Sequence, residues 1–323
     1  MWQSDTRTRD RSRLRNTATI IAIIVGIMRL VTRGDLDGLT CAVLLTLKEP
    51  ISSIALIHPQ DITEGRADIR PDDIIANLPF HPACAMWFDH HLHTATPHVP
   101  RDFKGVFAEA PSAARLVYEY YGGEAALPQF AELVRETDRL DSANLTPEDV
   151  TSPAGYIQLG FTIDGRTGLG TFEKYFLHLV DLLKAGTPID EVLRDPGVRR
   201  RVEVLESQEE IFRSELRSHS RMDGNVVLTD FRDLDHVPVG NRFLIYALFP
   251  ESNVSVRVHW GPNRAFPMLL LGHSIFNRTC KTNVGELAAR YGGGGHRGAG
   301  SIPLMDEPDQ QIQMVVNELK AHG

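Results

Sequence analysis

The chain has little cysteine, no surplus of positive charge and no apolar run long enough to span a bilayer. Its three cysteines, Cys41, Cys84 and Cys280, are scattered among 323 residues. They make neither a disulfide framework nor a zinc-ligand spacing, so a reducing, cytoplasmic setting is expected. A formal net charge of −8 argues against capture of long duplex nucleic acid, which needs a basic face. It does not exclude a small phosphate-containing substrate held in a local basic pocket. The run from Thr17 to Met28 is shorter than the roughly 20 residues of a transmembrane helix. Arg7, Arg9, Arg11, Arg13 and Arg15 precede it and mimic an export signal. No small-residue cleavage site follows, however, and Met28 opens what reads as a complete strand. Residues 1–27 are therefore expected to be an N-terminal extension with no membrane role. No internal repeat or low-complexity tract is present, and the length suffices for two cores.

From Met28 onward, short apolar runs alternate with a helical pattern. Met28–Thr32, Ile51–Ile57, Asp73–Leu78 and Ala83–Phe88 read as strands, and Leu39–Leu47 as a helix. Interleaving of this kind predicts a parallel sheet covered on both faces, with ligands beyond the carboxyl ends of its strands. Asp35, Asp37, Asn77 and the run Asp89-His90-His91 all fall at such ends. Ionisable groups at the end of a buried strand are costly unless a metal or substrate pairs them. Helices are expected over Ser112–Tyr121, Pro128–Glu136 and Thr171–Lys184. The charged stretch from Pro188 to Ser218 should pack one narrow helical face. A second α/β unit follows, with strands at Asn225–Leu228, Phe243–Leu248, Val254–Val258 and Met268–Leu271. Helices at Val284–Tyr291 and Gln310–Lys320 complete it. The expected organisation is 28–186, a helical connector over 187–221, and 222–323.

Hard divalent cations favour carboxylates, and Mn²⁺ also accepts imidazole. Asp35 and Asp37 are two residues apart, so on an extended chain both project to one side. With His90 and a later aspartate they could enclose an ion that polarises a phosphoryl oxygen.

The combination of Asp35-Leu36-Asp37-Gly38, Asp89-His90-His91 and the distal Gly293-Gly294-Gly295-His296-Arg297-Gly298-Ala299-Gly300 resembles the DHH phosphoesterase superfamily in its two-domain, DHH–DHHA1 form. The resemblance runs from about Met28 to near the C-terminus. It implies an α/β fold: an N-terminal parallel-sheet DHH domain and a smaller C-terminal α/β DHHA1 domain that binds substrate. It implies a phosphoesterase using one or two Mn²⁺ or Mg²⁺ ions, with Asp35, Asp37, His90 and Asp138 as ligands and His91 and Asp89 at the reacting centre. Thr137-Asp138 matches the fourth motif better than Asp141, which stays open as an alternative. Gly292, Gly293, Gly294 and Gly295 would form an anion nest, His296 and Arg297 would add charge-assisted hydrogen bonds, and Arg278 would be a phosphate clamp.

Two positions depart from the family pattern. Arg33 stands where the first motif often has a histidine, and Asn77 where the second usually has a metal-bridging aspartate. Arginine has no acceptor for a metal, and asparagine offers only a neutral carbonyl. Arg33 could instead present positive charge to a phosphate, while His81, His93 and His98 lie nearby as substitutes. The resemblance implies a nucleotide or short oligonucleotide as substrate and is compatible with a homodimer. Hydrolysis of polyphosphate, or nucleotide binding with weakened catalysis, are its alternatives.

Overall fold

The first strand carries apolar side chains on both faces, and both faces are covered. In the computed structural model, which describes residues 27–91, 102–163, 169 and 171–322, five strands form a wholly parallel sheet. They are β1 (Met28–Thr32), β2 (Ile51–Leu56), β3 (Asp73–Ala76), β4 (Met86–Asp89) and β5 (Gly105–Phe107), in the order β2-β1-β3-β4-β5. Side chains alternate as the period of two demands. Leu30, Ile74 and Phe88 enter one apolar cluster, and their neighbours Val31, Ile75 and Trp87 enter another on the opposite face. The chain leaves β1 toward β2 on one side and resumes at β3 on the other. The direction of winding thus reverses between β1 and β3, where the carboxyl ends of an open α/β sheet leave a crevice.

The helices of this half are α1 (Leu36–Lys48), α2 (Pro59–Thr63), α3 (Ala113–Tyr120), α4 (Gly123–Ala126), α5 (Ala131–Asp141), α6 (Pro147–Thr151), α7 (Gly155–Thr162) and α8 (Phe172–Lys184). The larger cluster lies under α1, α3, α5 and α8. Two connecting helices follow, α9 (Ile189–Arg194) and α10 (Pro196–His219). Val198, near the start of α10, joins this first core. Phe212 and Leu216, near its end, join a separate cluster with Leu145, Val150, Ile157, Phe231 and Phe243. The connector therefore packs as a helix with a narrow apolar face.

The C-terminal half contains β6 (Ser220–Asp223), β7 (Val226–Asp230), α11 (Leu244–Leu248), β8 (Val254–Trp260), β9 (Pro267–His273), α12 (Val284–Arg290), β10 (Gly294–His296), β11 (Ala299–Pro303) and α13 (Pro308–His322). Its sheet runs β10-β11-β9-β8-β7-β6, with β7 and β8 parallel and the other pairs antiparallel. One expectation is overturned here, because Phe243–Leu248 is not a strand. Asn241 Oδ1 accepts from the Phe243 N–H at 3.0 Å and turns the chain into the short helix α11. Leu244, Ile245 and Tyr246 are all buried, so no alternation of exposed and buried positions could have shown in the sequence. Among the described residues, no helix is long and apolar enough to cross a membrane. Residues 1–26, and with them most of the expected extension, lie outside the described residues, as do His93 and His98.

Candidate active site

Asp35 ends the turn after β1 and caps α1, accepting from the Gly38 N–H at 2.9 Å. The helix therefore begins earlier than its apolar pattern indicates. Asp37 belongs to its first turn and does not lie on an extended chain. Its carboxylate is almost fully buried and accepts from the Ala113 and Ala114 N–H groups at 2.9 and 2.7 Å. The start of α3 thus holds it where the helix dipole favours an anion.

His90 follows β4 on the Phe88 side of the sheet. Its Nδ1 lies 2.9 Å from the Ala110 carbonyl, an arrangement that fixes the ring and turns Nε2 into the crevice. There Asp141 Oδ2 lies 3.1 Å and Asp37 Oδ2 3.7 Å away. Nε2 is buried and makes no well-aligned hydrogen bond, despite these two carboxylates. Asp37, His90 and Asp141 present ligand atoms within 4.8 Å of one another. Asp89, which presents a ligand atom within 4.8 Å of those of His90 and His91, organises the turn. Its Oδ1 accepts from the His90 N–H at 2.9 Å and sits 2.8 Å from His91 Nδ1. The His90 and His91 rings meet edge to face, with centroids 4.2 Å apart.

The electrostatics are those of a site built for a cation. Burial opposes charge on His90, but Asp141 and Asp37 outweigh it and push its pKa up to about 9. Burial and the facing Asp141 push Asp37 well above the ordinary carboxylate range. Asp35 is raised by burial against the pull of Arg33, with Asp141 adding to the rise. Like charges crowded this closely are relieved by protons or by a metal. A buried imidazole nitrogen aimed between two carboxylates is a donor set able to hold a divalent metal ion.

The side chain of Asp138 lies elsewhere, contrary to the expectation that it joins Asp37 and His90. On α5, Asp138 lies about 100° around the helix axis from Thr137 and about 60° from Asp141, so it sits at the border of the face that those two present. Thr137 and Asp141 face α1, with Thr137 Oγ1 2.7 Å from Thr40 Oγ1. Asp138 is rotated toward α3, where it accepts from Ser112 Oγ at 2.6 Å and pairs with Arg115 Nη2 at 2.6 Å. Asp35 also stands apart from the compact trio. Arg33 Nε lies 3.0 Å from its Oδ2, and Asn77 Nδ2 donates to its Oδ1 at 2.9 Å. Asn77 is buried in a left-handed conformation with φ of 56°, which asparagine tolerates better than most residues. Its Oδ1 has no hydrogen-bond partner among the described residues. His81 has a local role, accepting from the Ala83 N–H at 3.3 Å.

The glycine run pairs as an edge strand and does not close into a nest. Gly294, Gly295 and His296 lie opposite Ser301, Gly300 and Ala299. A Cβ on Gly293 would meet the Ser301 carbonyl oxygen at 2.0 Å, so there the absence of a side chain serves strand pairing. Arg278 reaches the loop that follows α5, donating from Nη2 to the Ala143 carbonyl at 2.9 Å and from Nε to that of Ile275 at 3.0 Å. A residue that the sequence did not mark is Arg242. With Asn241 and Phe243 it lines the same cleft as Arg33, Asp35, Asp37 and Asp141.

The protein is similar to a solved pGpG-specific phosphodiesterase, PggH from Vibrio cholerae. The two are 37% identical over 92% of this chain and 100% of that one, with a TM-score of 0.77. This chain belongs to the DHH/DHHA1 phosphoesterase superfamily. Two more distant DHH-type structures share the fold. One is an exopolyphosphatase-related protein from Bacteroides fragilis, 14% identical over 91% of this chain and 93% of that one, with a TM-score of 0.50. The other is RecJ from Thermus thermophilus in complex with Mn²⁺, 15% identical over 91% of this chain and 51% of that one, with a TM-score of 0.52. No family model and no curated protein matches the chain.

Proposed function

We propose that this DHH phosphoesterase cleaves the phosphodiester bond of dinucleotide-sized substrates of the pGpG type, with one tightly held Mn²⁺ or Mg²⁺. The observation that carries the reading is the Asp37–His90–Asp141 cluster, set in a chain 37% identical to a pGpG-specific phosphodiesterase along that protein's whole length. Asp37, His90 and Asp141 would hold the ion. Bound there, it would neutralise charge on the phosphoryl oxygens and make a water more acidic. Asp89 holds His91 by its Nδ1, so the opposite ring nitrogen is positioned to exchange a proton at the reacting centre. Arg33, 44% exposed in its side chain, stands at the cleft to meet an anionic substrate. Asp35 and Asn77 complete the floor. Gly293, Gly294, Gly295, His296 and Arg278 are proposed to hold the distal part of the substrate.

The expectation of a single ion rests on Asp35, whose carboxylate is already engaged by Arg33 and Asn77. Acting on such a substrate, the protein would work in the cytoplasm. Polyphosphate is the weaker alternative, because the exopolyphosphatase-related neighbour shares only the fold. The test is product analysis after incubation with pGpG, other dinucleotides, longer RNA and polyphosphate, each with Mn²⁺ or Mg²⁺, beside a count of bound metal. Mononucleotide release from dinucleotides is expected. Release of phosphate from polyphosphate alone, or two tightly bound ions, would overturn the corresponding part of the reading.

A further inference from the structure

The loop between β7 and α11 is pinned on both sides of Arg242. The Cα of Gly240 is pressed against Phe212, so closely that a Cβ would fall 2.1 Å from its ring. Asn241 donates to the Val150 carbonyl at 3.2 Å and accepts from the Phe243 N–H at 3.0 Å. Phe243 and Leu244 then sink into the cluster shared with α6, α7 and α10. Between these anchors Arg242 is left exposed in the cleft, its guanidinium over the Phe243 ring at 4.6 Å from the centroid. Stacking of this kind fixes the plane of the fork while leaving its N–H edges available. Among the described residues Arg242 makes no hydrogen bond or ion pair, whereas Arg33 is paired with Asp35.

An unpaired guanidinium held beside another is an electrostatic cost. Burial in the cleft and the neighbouring Arg33 both oppose the charge on Arg242, while Asp141 and Asp35 favour it. The cleft lining carries three carboxylates, Asp35, Asp37 and Asp141, against these two guanidiniums. One divalent cation added to that set leaves a single positive charge, the complement of one phosphodiester anion. Resting on the functional reading above, we infer that Arg242 is a phosphate-recognition residue. It grips the non-bridging oxygens of a nucleotide phosphate from the C-terminal half, opposite Arg33. Each half of the chain thus supplies one guanidinium, and phosphate bound over Asp37, His90 and Asp141 spans the cleft. A bidentate guanidinium matches two phosphate oxygens in a way that an ammonium cannot.

The test uses the full chain with Arg242→Ala and Arg242→Lys, each checked for an unchanged melting temperature. Calorimetric titration with guanosine 5′-monophosphate in saturating Mn²⁺ reads binding directly, and titration with Mn²⁺ alone reads the metal site. Loss of the charge-assisted contact should weaken nucleotide binding by about 10- to 100-fold in Arg242→Ala. It should also flatten the salt dependence and leave Mn²⁺ affinity unchanged. Arg242→Lys should restore the salt dependence but only part of the affinity. If the wild type cleaves no dinucleotide, the functional reading fails while the titration still decides the clamp. Nucleotide affinity within twofold of wild type in Arg242→Ala, or no nucleotide binding by the wild type, overturns the inference. If Arg242→Ala misfolds, the decision falls to Arg242→Lys, and full affinity there overturns the bidentate grip.

Discussion

The carboxyl edge of the first sheet and the glycine-rich edge of the second are opposite kinds of polar surface. At the first, ionised side chains are buried beside one another. Asp37 and Asp141 face the same imidazole nitrogen, and the pKa values of Asp37 and His90 are pushed far from their ordinary ranges. At the second, the polar groups are backbone. They are largely satisfied by strand pairing, and the few side chains are exposed. Reactive centres need charge held where it is costly, ready to be offset by a cation and a substrate. A surface that only holds a substrate can be built from backbone at little electrostatic cost. Substitutions at the first edge should therefore change chemistry and metal binding, and those at the second should change affinity or strand pairing but not chemistry.

The largest effect is expected from Asp141→Asn. It removes the charge 3.1 Å from His90 Nε2 and should lower kcat/KM by on the order of 10³-fold, with loss of tight Mn²⁺ binding. Asp138→Asn provides the contrast one position-set away on the same helix. It breaks a partly buried ion pair with Arg115 and should cost about 1–3 kcal/mol of stability while Mn²⁺ still binds. Metal titration and thermal melts of both variants check this. Retained metal in Asp141→Asn together with loss of metal in Asp138→Asn would reverse the assignment.

That pair also marks what the sequence could and could not carry. Four of the five strands of the first sheet were legible because each is an apolar run broken by polar residues, and the crevice followed from those ends; β5, three residues long, left no such run. Choosing between Asp138 and Asp141 required the rotational phase of α5 against α1 and α3, which no local pattern contains. Arg242 was invisible for a related reason, since its loop meets Asp141 only through the packing of Phe212, Phe243 and Val150. The glycine run read as an anion nest because residues without side chains show no strand alternation. In the structure, pairing with β11 makes it a strand.

A smaller effect should follow from giving the first edge the family's charge pattern. Arg33→His with Asn77→Asp lowers the local charge by about two units, counting the histidine as neutral, and frees Asp35 from its two side-chain partners. Without metal, the carboxylate introduced at position 77 would repel that of Asp35, and the double variant should lose about 1–3 kcal/mol of stability. Mn²⁺ should restore that loss and bind in a second equivalent, as elemental analysis after dialysis would show. An unchanged stoichiometry would mean that Arg33 and Asn77 do not limit the number of ions.

The pH dependence of metal binding separates the two edges without mutation. In the metal-free protein the His90 pKa is raised to about 9, above the usual value of about 6.5. The ion pair with Asp141 and Asp37 therefore contributes stability that is complete below about pH 6.5 and is lost as pH rises through about 9. The melting temperature of metal-free protein should drift down across that window, and that of Mn²⁺-loaded protein should not share this drift. Mn²⁺ must displace the His90 proton, so its affinity should rise with pH by up to about tenfold per unit and level off above about 9. Calorimetry in two buffers of different ionisation enthalpy should find close to one proton released near pH 7. Release of none would place the metal away from His90.

The smallest effects are expected at the glycine edge, where neighbouring positions make the sharpest test. A Cβ on Gly293 would collide with the Ser301 carbonyl oxygen at 2.0 Å, whereas one on Gly294 would meet nothing within 4 Å. Gly293→Ala should therefore open the β10–β11 pairing and lower the melting temperature. Gly294→Ala should leave it unchanged, since that backbone lies outside the left-handed region and has room for a methyl group. If the exposed strand holds the distal part of a nucleotide, a methyl group at position 294 would narrow the approach and raise KM for a dinucleotide by a few-fold, with kcat preserved. A change in kcat instead would bring the edge strand into the reacting centre and erase the distinction between the two edges. No change in either constant would show that the substrate never reaches Gly294.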